Sequence, residues 1–275
     1  RTLRGVLIAK RLIPCDDEQA QVAFDAEEGR RVASSIARLI AGKGLPTALG
    51  CTRPQADQLV DEGLVIPIVD EFLEGHGRVR KAFEAAKIAG FLENLRNATR
   101  GVAVIADDLV TVSKAAERAK ISSGEIVHLI LGQHLKTVVC KFGDSGIESI
   151  FVDSDEVKSV ARNLLVGLSV SSAAGCLKVP RQSILKLAGG HPSVLPPQVI
   201  KPEAGTHEFA RFLDEDVEAF RENFTTAVRV ANSHGVEVKV VLGAVKRAGV
   251  KPVFRYVDFG INLYRSSYIP ELVPI

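Results

Sequence analysis

The sequence predicts a mainly α-helical chain with small β-hairpin wings, built as a tandem array of winged helix-turn-helix modules. Three observations predict it. A small apolar anchor followed by a polar helix start occurs four times, a core-type residue stands eight positions beyond each anchor, and a turn with an apolar exit follows. The anchors are Cys51, Ile121, Val179 and Val236, and their core partners are Leu59, Leu129, Leu187 and Ala244. The exits are Gly63-Leu64, His134-Leu135, Val194-Leu195-Pro196 and Gly249-Val250.

Taken in order, residues 1–44 read as a partial module entered within its second helix. Leu7 to Leu12 matches Leu59 to Leu64, and Phe24 to Glu28 matches the start of a closing helix. Further modules span 45–100, 101–165, 166–226 and 227–275. First helices are read at Val110 to Ala116 and at Leu168 to Ala174, where hydroxyl residues can cap and paired alanines let a second helix approach closely. Val110 and Leu168 lie nine residues before Ala119 and Leu177, but Leu45 lies only four before Leu49. That spacing predicts that the difference of five residues is missing between Gly44 and Ala48, or that Glu27 to Ala41 supplies the helix instead. Wings are expected at Phe72 to Arg80, Val138 to Val152, Pro197 to Phe212 and Val253 to Tyr264. Closing helices are expected from Asp153, Asp214 and Ser267, two of them opening with carboxylates that suit the helix dipole.

Composition limits the function. A chain of 275 residues is long enough for more than one folding unit. Its net charge is only +2, so any nucleic-acid contact must come from local clustering. By module the charges are +2 for 1–44, −1 for 45–100, −2 for 101–165, −1 for 166–226 and +4 for 227–275. The terminal modules are therefore the better DNA candidates, whereas the acidic module around Glu125 and His128 is expected to be structural or protein-binding. Aromatic residues make up 5% with no Trp, which argues against base-stacking platforms for single strands. Cys15, Cys51, Cys140 and Cys176 form no C-x-x-C pair and read as small buried hydrophobes, with neither zinc nor disulfides expected. The six histidines are scattered, and no phosphate loop or Ser/His/Asp pattern is present, so neither a metal, a cofactor nor an enzyme is predicted. No apolar stretch is long enough to span a membrane and no signal peptide is evident, so the expectation is a cytoplasmic, nucleoid-associated protein without membrane contact.

The run Leu49-Gly50-Cys51-Thr52-Arg53-Pro54-Gln55-Ala56-Asp57-Gln58-Leu59 carries a further signal. Together with Arg1-Thr2-Leu3-Arg4, Leu12-Ile13-Pro14, Phe24-Asp25-Ala26 and the tandem Ala-Ala helices, it resembles the helix-turn-helix array in the C-terminal part of TniQ family transposition proteins. The resemblance implies a role in choosing transposition target sites, with double-stranded DNA and a transposon-encoded AAA+ ATPase as partners. The family's paired-cysteine zinc region has no counterpart here.

A second helix laid in the major groove presents its early residues to base edges, while the wing meets phosphate. Arg can bond guanine bidentately and Gln adenine. The candidate DNA contacts are therefore Arg53, Gln55 and Gln58; Arg181, Gln182 and Lys186; and Lys239, Lys246 and Arg247. Arg4 joins them in the partial module, with Arg78 and Arg80 on a wing. Two alternatives stand beside this reading, of which only the second shares the DNA contacts. One is an adaptor whose modules bind protein rather than DNA, and the other a site-specific transcription regulator or excisionase-like factor.

Overall fold

The computed structural model of this chain describes residues 26–67, 82–143, 145–190 and 194–268. It is a mixed α/β structure in which helix predominates. The chain divides into two compact units, one formed by residues 1–161 with 202–207, the other by 162–201 with 208–275.

In the first unit, α1 (Ala26–Ala37) and β1 (Leu39–Ala41) lead through a 3-10 turn at Gly42–Gly44 into α2 (Leu45–Leu49) and α3 (Arg53–Asp61). After β2 (Ala82–Glu84), α4 (Ala85–Asn97), β3 (Arg100–Val102) and β4 (Leu109–Thr111) come α5 (Val112–Ala119) and α6 (Ser123–Leu131). The unit is completed by β5 (Val138–Lys141), β6 (Ile150–Asp153) and the first two turns of α7 (Ser154–Leu164). β1 and β2 pair antiparallel. A four-stranded sheet runs in the order β3-β5-β6-β4, with β3 parallel to β5 and the other neighbours antiparallel. The β5–β6 hairpin is the wing expected at Val138 to Val152, but the sheet is wider than a wing because β3 and β4 flank it.

The second unit begins within α7 and adds β7 (Leu168–Ser169), α8 (Val170–Leu177), α9 (Arg181–Gly190), β8 (Gln198–Ile200) and β9 (Phe209–Phe212). Then follow α10 (Asp214–Asn223), β10 (Phe224–Thr225), α11 (Ala227–His234), α12 (Val238–Arg247), α13 (Tyr256–Phe259) and β11 (Tyr264–Arg265). β9 is the middle of a three-stranded antiparallel sheet, β7-β9-β8, and β10 pairs antiparallel with β11. The hairpin expected between Pro197 and Phe212 and the closing helices expected from Asp153 and Asp214 are thus present.

Four helix pairs, α2/α3, α5/α6, α8/α9 and α11/α12, share one turn chemistry. The residue after each first helix is left-handed: Gly50 at φ 56°, Lys120 at 58°, Lys178 at 55° and Gly235 at 64°. The next residue is the anchor read from the sequence, and its amide donates to the carbonyl five positions back. These bonds are Cys51 to Pro46 (3.0 Å), Ile121 to Ala116 (3.1 Å), Val179 to Ala174 (3.1 Å) and Val236 to Ala231 (3.0 Å). This is Schellman geometry, which satisfies helix-end carbonyls while turning the chain sharply. Three of the first helices start at hydroxyl caps: Thr111 accepts from the Lys114 amide, Ser169 from Ser172 and Thr226 from Arg229.

Several expectations change in detail. Of the cysteines expected as buried hydrophobes, Cys140 is buried, but Cys51 is half-buried and Cys176 exposed, and Cys15 lies outside the described residues. Val110 and Leu168 lie on β4 and β7 rather than in helix, because their backbones pair with β6 and β9. The short first helix α2 is preceded by the 3-10 turn at Gly42–Gly44, and the stretch from Glu27 to Ala41 carries the helix α1. The expected wing at Phe72 to Arg80 and all but the start of the last closing helix lie outside the described residues.

Burial follows the core partners rather than the anchors: Leu59, Leu129, Leu187 and Ala244 are buried, whereas Cys51, Ile121 and Val236 are half-buried. Leu49, Leu59, Phe83, Leu95, Ile126 and Leu129 are almost fully enclosed in the first unit, and Ile184, Leu187, Leu195 and Phe212 in the second. One backbone contact and one side-chain clamp hold the chain in place. Gly50 and Gly146 touch so closely that a Cβ on Gly146 would stand 2.6 Å from the Gly50 Cα. In the second unit the buried Arg211 donates to the carbonyls of Leu165 and Val166, at 2.9 and 3.4 Å, and to that of Gly167.

Candidate nucleic-acid interface

A helix can read a groove only if its outer face is open, so the surroundings of each second helix decide its candidacy. In α3, Thr52 and Gln55 form a capping box: the Gln55 side-chain Oε1 accepts from the Thr52 backbone amide at 2.9 Å, and Thr52 Oγ1 accepts from the Gln55 backbone amide. Gln55 is 4% exposed. Gln58 reaches across to α6, where its Oε1 accepts from the Ser123 amide at 2.9 Å. These two glutamines hold the protein's own helix ends, so they are not presented to base edges. Arg53 remains exposed at the start of α3, with Asp57 3.9 Å from its Nε.

α6 is closed from the other direction. Ser123, Gly124 and Ile126 to Ile130 are all buried, and a Cβ on Gly124 would lie 2.8 Å from the Glu62 side chain. α3 and α6 therefore pack second helix against second helix, which leaves α6 enclosed while α3 keeps Arg53, Asp57 and Asp61 exposed. An apolar surface all round marks a buried helix. This fits the expectation that the Glu125 and His128 module does not enter a groove.

In the second unit, α9 packs against α8 and α13. Ser183, Ile184, Leu187 and Ala188 are buried, Arg181 and Gln182 are half-buried, and Lys186 is exposed. α12 differs. Val241 and Val245 dock on Ala227, Val230, Ala231 and Tyr264, and with the buried Ala244 they form an i, i+3, i+4 stripe on one face. The opposite side exposes Lys239, Val240, Leu242, Lys246 and Arg247. Lys239 pairs with Glu237 at 2.7 Å, while Lys246 and Arg247 have no carboxylate within ion-pair distance among the described residues. Both cations stand in the last turn, where they also suit the helix dipole.

Val240 and Leu242 are not among the candidate contacts read from the sequence, although a signal for them is present. They interrupt the 241, 244, 245 core stripe with apolar residues on the outer side. Such side chains meet thymine methyls in a major groove. Close by in sequence, Arg229 is used internally, with Nη1 donating to the Arg221 carbonyl at 2.8 Å at the end of α10. Burial, and then the neighbouring Arg221, lower its pKa, with Glu218 opposing. Arg4, Arg78 and Arg80 lie outside the described residues.

The first unit also holds three histidines close together. His128 Nδ1 and His207 Nε2 are 2.9 Å apart with stacked rings, and His134 Nδ1 lies 4.0 Å from Glu203 Oε1. Among the described residues no group of three or more His, Cys, Asp or Glu is arranged to hold a metal ion, and no helix is long and apolar enough to cross a membrane. Comparison with protein-family models, curated proteins and solved structures finds no match to this chain.

Proposed function

We propose that this chain is a double-stranded DNA-binding protein whose groove-reading element is α12, carried by a tandem series of helix-turn-helix pairs. The observation that supports this reading is the outer face of α12: three cations and two aliphatic residues on a helix whose other face alone holds it to the protein. The four turns with a left-handed residue and a five-back anchor bond support the array. In the finer form of the proposal, which leans on the resemblance carried by residues 49–59, the protein selects target sites for transposition together with an AAA+ ATPase. The packing of α3 on α6 favours a scaffold or protein-binding role for that helix pair, the adaptor alternative confined to one part of the chain.

The test is duplex binding by the full chain across a range of salt concentrations. Each phosphate that the protein ceases to neutralise lowers the slope of log K against log salt by roughly 0.9. Replacing Lys246 and Arg247 with alanine therefore flattens the slope by up to about 2 if both touch phosphate, whereas Arg53→Ala leaves it unchanged. A wild-type chain that ignores duplex DNA at low salt, or variants that bind like wild type, refutes the assignment to α12. A purified ATPase of the transposition class that binds equally well with and without duplex supports the adaptor role instead.

A further inference from the structure

A cavity of about 500 Å3 opens in the first unit between α1 and the start of α4, lined by Glu27, Arg30, Arg31, Ser34, Arg38 and Glu84. The arginines and Ser34 are exposed along α1. The carboxylates on its walls are already engaged: Glu27 holds Arg31 at 3.0 Å, and Glu84 holds Lys87 at 3.8 Å. Arg30 and Arg38 have no carboxylate within ion-pair distance among the described residues, so their guanidinium forks remain available. Guanidinium matches the planar, two-oxygen edge of a phosphate better than an ammonium does.

Arg30 stands in α1 and Arg38 directly follows its last residue, Ala37; at 1.5 Å rise per residue the two are about 12 Å apart along the helix direction, with Arg31 and Ser34 between them. A lone anion does not need a row of that length. A nucleic-acid strand advances roughly 3.4 Å per phosphate along a duplex axis, so the row covers about three phosphate steps. We propose that this cleft is a phosphate-binding site, its arginines gripping successive phosphates of a nucleic-acid strand. The site does not rest on α12, because it lies in the other unit and uses none of the same residues. The shared chemistry is the phosphoryl oxyanion, and a free phosphorylated compound is the other source of it.

The experiment compares the full chain with its Arg30→Gln/Arg38→Gln form, two exposed positions whose change leaves the core untouched. Two probes are used: inorganic pyrophosphate, and a duplex of about 20 base pairs. Affinity for the duplex is expected to fall about tenfold or more, the effect of losing charge-assisted hydrogen bonds to phosphate. Protection of Arg30 and Arg38 from phenylglyoxal, mapped by peptide mass spectrometry, locates the contact independently of folding. Loss of pyrophosphate binding with unchanged duplex affinity keeps the phosphate site but assigns it to a free ligand, overturning the strand. No protection by either probe, or equal affinities for both proteins, overturns the site. The Lys246→Ala/Arg247→Ala protein should retain phenylglyoxal protection in the cleft, which separates failure here from failure of the α12 reading.

Discussion

Replacing Arg211 with methionine removes the donor that ties the strap at residues 165–167 to β9. The side chain is 5% exposed and makes two close bonds, Nη2 to the Leu165 and Gly167 carbonyls, and a longer one from Nε to Val166 at 3.4 Å. Hydrogen bonds from a charged donor are worth about 1.5 to 3 kcal/mol each, and truncation leaves the buried acceptors behind. Methionine returns part of this, since a charge no longer has to be kept out of water. The expected net loss is about 2 to 4 kcal/mol. Arg211→Lys should fall between wild type and Arg211→Met, because one ammonium keeps the charge but lacks a fork to span three carbonyls. Urea unfolding gives the stability change, and amide exchange across the β7–β9 ladder places it in the second unit. A loss below about 1 kcal/mol, the size of an ordinary surface substitution, would refute the account of the clamp.

Other predictions follow from single contacts. Gly146→Ala should destabilise the first unit by about 2 kcal/mol or more, because the new Cβ meets Gly50 backbone at 2.6 Å and the φ of 91° is itself unfavourable. Gly143→Ala, at φ 83° with open space around it, should cost only the strain, and comparing their thermal midpoints separates the two effects. Burial, and then His134, lower the pKa of His207 below its ordinary 6.5. The unfolded chain therefore takes the proton more readily than the folded one: full stability holds above pH 6.5 and declines as pH falls toward the depressed folded value. Urea midpoints at pH 7.5 and 5.5 should show this fall, and His207→Asn should reduce it. Cys51, its thiol pushed up to about 11 by burial and then Glu148, should resist iodoacetamide at pH 8, while the exposed Cys176 is alkylated quickly. Peptide-resolved mass spectrometry reads both; fast labelling of Cys51 contradicts the geometry.

The helix pairs are legible in the sequence because their turns are local. An anchor, a left-handed residue and a core residue eight positions on all fall within one short stretch, and a reader of Cys51 and Leu59 or Ile121 and Leu129 needs no tertiary information. The role of Gln55 is legible too, since Thr52-x-x-Gln55 is a capping-box signature that competes with its base-reading chemistry. Gln58 is not legible: its partner is the Ser123 amide, 65 residues away, and nothing near Gln58 announces it. The nine-residue α6 carries its own warning in Ile126 to Leu131, where an unbroken apolar run leaves no side to offer to solvent. α4 escapes a reading by motif because it has no turn motif at its start, and β3 because a parallel partner at β5 cannot be inferred from neighbouring residues. The arginine row on α1 is hidden in the sequence because that stretch matches the end of a partial module.

The membership of residues 202–207 in the first unit has an effect on how that unit is assembled. The Glu203 amide donates to the Gly132 carbonyl at 2.9 Å and His207 meets His128, yet about 40 residues belonging to the other unit are translated between Ala161 and Pro202. At ribosomal speeds of roughly 5 to 20 residues per second, the earlier stretch emerges some 2 to 8 s before its last piece. Throughout that interval the imidazole of His128 waits for its mate. A recombinant fragment ending at Ala161 would stay permanently at that stage, so a faithful excision of this half must graft the six-residue insert back onto it.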